Sequence, residues 1–83
     1  MKIPRDLGGE DLAKLLKKYD FGTTRQTGSH MRLVSTIKGE YHITIPKHKP
    51  LKIGTLNSIL NSLAHYLEID KQAMVDELFG KEK

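Results

Sequence analysis

His30 follows Gly28-Ser29, a tight turn signal, and opens an alternating segment, Met31–Ile37. Pro46-Lys47-His48 and Gly54-Thr55-Leu56 come next, across a basic stretch. An imidazole takes up or releases a proton near neutral pH, so it suits general acid–base work. Lysine ammonium groups and the N–H groups of a helix start stabilise developing negative charge. Held on the open face of a small sheet, inside a positive field, His30 is a candidate for acid–base work on a phosphodiester. The plain alternative is a turn histidine that hydrogen-bonds backbone.

The positive field is local. The 83 residues carry 14 Lys/Arg against 10 Asp/Glu, a formal net charge of +4. Residues 23–54 hold Arg25, Arg32, Lys38, Lys47, Lys49 and Lys52 against Glu40 alone, and three of the four histidines. Outside this third the charges nearly cancel. Such an excess attracts polyanions and steers their approach; solvated strands and loops rich in lysine give the same count. A chain of this length makes one domain, 1–83, with a thin core. It has no cysteine, so no disulfide braces it, and a reducing cytoplasm fits. No apolar run reaches the length of a membrane span and no secretory signal pattern opens the chain.

Several elements must position these residues. Leu12, Leu15, Leu16 and Tyr19 make one apolar helical stripe, predicting a helix over roughly 9–19 that ends at Asp20–Gly22. Thr23–Thr27, rich in threonine, predicts an edge-like strand. After the Gly28 turn, Met31, Leu33, Ser35 and Ile37 point one way and His30, Arg32, Val34 and Thr36 the other. Lys38-Gly39-Glu40 reads as a hairpin loop. In a third strand Tyr41, Ile43 and Ile45 alternate with His42 and Thr44, and Pro46 stops the ladder. A loop, Lys47–Gly54, leads to the strongest helix signal, Leu56 to Leu67, with Thr55 as the expected N-cap. A last helix starts after Asp70 and uses Val75, Leu78 and Phe79. The fold class is α+β, ordered α-β-β-β-α, with a three-stranded antiparallel sheet, helices on one face and an added C-terminal helix over about 68–80. Met31, Leu33, Ile43 and Ile45 then face the helices, and His30, Arg32, His42 and Thr44 share the open face.

In their order and spacing, Leu12–Leu16, Gly28-Ser29-His30, Ile45-Pro46-Lys47-His48 and Gly54-Thr55-Leu56 with Ile59-Leu60 resemble the HicA family of toxins from type II toxin–antitoxin systems, over about residues 9–64. The resemblance implies a fold like a double-stranded-RNA-binding domain. It implies a small ribonuclease that cleaves messenger RNA and is neutralised by a HicB antitoxin. Its functional histidine falls on His30. The chain departs from the family at Asp20, before Phe21, where a glycine is more usual, and at Asn57 and Asn61, where charged helix residues are common. Gly28-Ser29-His30-Met31 also matches the remnant of a cleaved tag, but a well-formed helix pattern precedes it and no histidine tag does.

The candidate site follows. His30 is the general acid or base. Gly28, Ser29, Arg25, Arg32, Lys47, His48, Lys49, Lys52, Gly54 and Thr55 are candidates for binding RNA, the last two as an anion site at a helix start. Plain alternatives remain for each: Gly54-Thr55 as an ordinary helix start, Arg25 and Arg32 as solubilising charges, His42 and His65 as solvated surface. A zinc site of His30, His42 and His48 lacks cysteine and helical ligand spacing, and no cofactor motif is present. A partner antitoxin gains most by covering His30 with an acidic surface. Two further readings are a non-catalytic RNA-binding module of the same fold, recognising shape and phosphates, and an antitoxin-capturing protein without activity.

Overall fold

The computed structural model describes Ile3 and residues 5–80. Its order is α1 (Gly9–Leu15), a 3₁₀ turn (Leu16–Tyr19), β1 (Gly22–Gln26), β2 (His30–Ser35), β3 (Tyr41–Pro46), α2 (Ile53–Leu67) and α3 (Lys71–Phe79). The strands form one antiparallel sheet in the order β1-β2-β3. The expected α-β-β-β-α arrangement with an extra helix is therefore present. None of the described helices is long and apolar enough to cross a membrane.

Period-two burial decides which face of the sheet is which. Met31, Leu33, Ile43 and Ile45 are buried, and their neighbours His30, Arg32, His42 and Thr44 are exposed. The buried set joins Leu12 and Leu16 of the first helical segment, Leu56, Leu60 and Leu63 of α2, and Met74, Val75 and Leu78 of α3 in one core. The helices thus cover a single face, and each supplies one apolar stripe. Transfer of such side chains from water, about 1.5–3 kcal/mol each, is what holds this small fold together.

Two helix ends share a device. The Phe21 N–H donates to Leu16 C=O and the Asp20 N–H to Lys17 C=O. At the end of α2 the Ile69 N–H donates to Ala64 C=O and the Glu68 N–H to His65 C=O. Both are Schellman motifs, and both place a non-glycine residue in the left-handed region: Asp20 at φ 70° and Glu68 at φ 59°. At Asp20 the backbone thus has the conformation glycine favours.

Four expectations need correction. Thr55 is not the N-cap: Lys52 is, and the first helical bond runs from the Leu56 N–H to Lys52 C=O. The buried Leu51 fixes this, because its N–H is held by Leu7 C=O and the chain turns into the helix immediately after. Ile37 does not continue the buried face. Its N–H is captured by Ser35 Oγ at 3.3 Å, the strand stops at Ser35, and Ile37 lies half exposed. The first helix is α-helical only to Leu15 and tightens into the 3₁₀ turn before Asp20. The last helix buries Met74, which the periodic reading left out, more deeply than Phe79.

α3 is tied to the first helical segment at the sheet end away from His30. The Tyr19 hydroxyl donates to the Glu77 carboxylate, and Lys18 Nζ donates to Glu77 C=O at 2.7 Å. Asn57 of α2 accepts from Lys71 Nζ at 3.2 Å. Burial, and then the hydrogen bond and charge of Glu77, hold the Tyr19 hydroxyl proton well above the usual tyrosine range.

Candidate active site on the open sheet face

The site starts from the turn between β1 and β2. Thr27 Oγ1 accepts from the Ser29 N–H at 3.3 Å and the His30 N–H at 3.1 Å, and the Thr27 N–H donates to His30 C=O at 2.9 Å. A threonine side chain mimicking a turn's backbone bonds is a recognised local motif. Thr27 was missed in the sequence, although its hydroxyl two residues before Ser29 is the signal that marks such a turn. These bonds place His30 at the first position of β2, paired with Pro46 of β3. The ladder continues outward, with the Lys47 N–H on Ser29 C=O at 2.8 Å.

His30 is exposed, and its Nδ1 lies 3.0 Å from Ser29 Oγ. Among the described residues this is the ring's one hydrogen bond, and Nε2 makes none. An imidazole engaged at one nitrogen by a neighbour and open at the other is oriented for proton transfer at the open one. Arg32 follows on the same face of β2. Arg25 is its partner in β1 and Thr44 its partner in β3. His30, Gly28, Ser29, Arg25 and Arg32 are therefore brought together on the open sheet.

His42 is exposed on that face but paired with Val34, four positions along β2 from His30, which is about 13 Å of strand. Its Nε2 contacts Glu40 Oε2 at 2.6 Å. That places it outside the His30 cluster.

The basic loop goes elsewhere. One residue beyond Pro46, the alternation turns the Lys47 side chain to the helical side, where it is only 20% exposed. Its Nζ meets Glu10 Oε2 at 4.0 Å and Gln26 Oε1 at 3.5 Å. Lys49 Nζ lies 3.9 Å from Asp11 Oδ2. With His48 these residues edge a cleft of about 80 Å³ against the start of α1. Two lysines and two carboxylates balance there, so this cleft is weakly positive at most. Lys38 likewise meets Glu68 at 3.8 Å. Lys52, Gly54 and Thr55 sit at the N-cap and in the first turn of α2, in the helical layer. The sequence places all these groups in one basic stretch; the fold divides them between the two sides of the sheet.

A close approach holds the two sides in register. A Cβ on Gly9 would lie 1.9 Å from Pro46 C=O, and the Gly9 N–H donates to His48 C=O at 2.9 Å. The start of α1 thus rests directly on the end of β3, behind the residue that pairs with His30.

A family model described as the HicA toxin of bacterial toxin–antitoxin matches residues 9–64, two thirds of the chain, from the start of α1 into α2. The match ends before α3, whose buried face nonetheless completes the core. No curated protein and no solved structure matches the chain.

Proposed function

The chain belongs to the HicA toxin family of bacterial toxin–antitoxin systems, and from that premise we propose that it is an endoribonuclease that cleaves cytoplasmic mRNA without a metal, with His30 as general acid or base. A HicB-type antitoxin, presenting an acidic surface over His30, holds it inactive. The observation that carries this reading is the pairing of an exposed His30 with Ser29, which engages Nδ1 and leaves Nε2 without a hydrogen bond among the described residues.

The chemistry is that of RNA itself. The ribose 2′-oxygen attacks phosphorus as it loses its proton, and the bond from phosphorus to the 5′-oxygen breaks as that oxygen gains one. A 2′,3′-cyclic phosphate and a 5′-hydroxyl result. His30 Nε2 either takes the first proton or gives the second, a contribution of about 10²–10⁴-fold. Arg25 and Arg32 on the same face hold the RNA backbone beside the reacting phosphate. Ser29 is a positioning residue: it holds the ring.

One observation favours a second reading, a non-catalytic RNA-binding module. No second titratable side chain hydrogen-bonds to the His30 ring among the described residues. Incubating the protein with a defined RNA, with and without EDTA, separates the two. Cleavage that survives EDTA and is lost in His30→Ala is expected. RNA binding without any cleavage by the wild type would establish the binding module instead.

A further inference from the structure

Arg25 and Arg32 are direct partners across β1 and β2, and both are exposed. Like charges placed opposite one another on a strand pair are destabilising. Among the described residues, no Asp or Glu forms an ion pair with either one.

The regular pleat does not impose this pairing. Gly22 faces Val34 and Thr23 faces Leu33. Continued in step, that register sets Thr24 against Arg32 and Arg25 against Met31, with Arg25 on the helical side. The ladder instead shifts between Thr23 and Arg25. Thr24 is the extra residue, and its hydroxyl donates to Arg32 C=O at 3.2 Å. One inserted residue carries Arg25 to the open face, beside Arg32. Bulges re-aim side chains in this way next to functional sites. A device that builds repulsion into the free protein has a use if the ligand is an anion.

We propose that the Thr24 bulge builds a two-arginine phosphate seat for single-stranded RNA laid across the open sheet. The seat takes a phosphate neighbouring the one at His30, which lies two residues before Arg32 in β2, about 6.7 Å of strand. This rests on the ribonuclease reading of His30. Guanidinium groups bind phosphate oxygens with paired N–H donors. Thr44, the other neighbour of Arg32, adds a hydroxyl to the row. A single strand follows a flat sheet. A duplex is instead gripped by contacts spread over about 16 bp and two minor grooves, and the loop lysines suited to that task face Glu10 and Asp11 here.

The test is fluorescence anisotropy with a short single-stranded RNA and its duplex, using the full chain carrying His30→Ala so that the RNA survives. Arg25→Gln and Arg32→Gln are each expected to weaken single-strand binding roughly tenfold, the size of a lost charge-assisted hydrogen bond. Each is expected to lower the salt slope by about 0.7. Lys14→Gln, which removes the same charge from α1, controls for net charge. Arg25→Glu gives Arg32 a partner, so its melting temperature is expected to rise while binding is lost. Greater loss in Lys47→Gln/Lys49→Gln than in the arginine variants, or tighter binding of the duplex, overturns the proposal. Cleavage by proteins with His30 intact separates it from its premise. If the arginine variants bind normally while the wild type cleaves, the seat falls and the ribonuclease stands. Arginine-dependent binding with no cleavage supports the seat and removes the ribonuclease.

Discussion

Ser29 Oγ and His30 Nδ1 lie 3.0 Å apart at the mouth of the β1–β2 turn, with Thr27 Oγ1 bonded to the backbone N–H of both residues. Side-chain and backbone restraints thus converge on one exposed imidazole. Ser29→Ala is expected to lower kcat on RNA by about threefold to tenfold, the worth of one such hydrogen bond, with little change in KM. Ser29→Thr keeps the hydroxyl and is expected to restore most of the rate. A merely structural turn serine would leave the pH–rate profile in place; a ring-positioning serine moves it.

Gly9 and Pro46 make the second critical contact. A side chain on Gly9 meets backbone oxygen at 1.9 Å, so α1 or the end of β3 must move. Gly9→Ala is expected to cost about 1–3 kcal/mol, as overpacking does, read by urea denaturation. Because Pro46 pairs with His30, cleavage is expected to fall as well, even under conditions where the variant is fully folded.

The left-handed helix ends predict a gain. Asp20→Gly and Glu68→Gly each relieve a non-glycine residue of a conformation that costs about 1 kcal/mol, less the extra entropy of glycine in the unfolded chain. Each also removes an acidic charge from the negative end of a helix. A net stabilisation of about 0.5–1 kcal/mol per site is expected, or several degrees in Tm for a domain of this size. For Glu68→Gly, loss of the exposed pair with Lys38 offsets a few tenths.

Tyr19 makes stability depend on alkaline pH. Its folded-state proton is held above the ordinary tyrosine value of about 10. The folded state therefore keeps a proton that the unfolded chain releases first. The stabilisation is fully present below about pH 10 and is lost as pH rises beyond it. Melting curves from pH 8 to 11 are expected to fall more steeply for the wild type than for Tyr19→Phe. Parallel curves would show that burial and the Glu77 contact do not hold the Tyr19 proton in solution.

Much of this was legible in the sequence because its signals were periodic. The alternation from His30 to Ser35 placed His30 and Arg32 opposite Met31 and Leu33, and the stripe through Leu56 to Leu67 fixed α2. What local pattern could not reveal were relations set by tertiary contact. The Thr24 bulge depends on how β1 docks along β2, and five exposed residues in that strand carry no alternation to reveal it. The pairing of Lys47 and Lys49 with Glu10 and Asp11 joins segments nearly forty residues apart. Charge counting along the chain saw one basic stretch where the fold makes two unlike surfaces. The start of α2 was misjudged for the same reason: Leu51 docking against Leu7, rather than the Thr55 hydroxyl, decides where the helix begins.

The central claim is that His30 transfers a proton while the RNA supplies its own nucleophile. The most direct measurement is the rate and end chemistry of cleavage of one RNA oligonucleotide, compared with the same oligonucleotide bearing a single 2′-deoxy sugar at the cut site. The account predicts a 2′,3′-cyclic phosphate and a 5′-hydroxyl from the first, and resistance of the second at that bond. Cleavage of the 2′-deoxy site at an undiminished rate would contradict it.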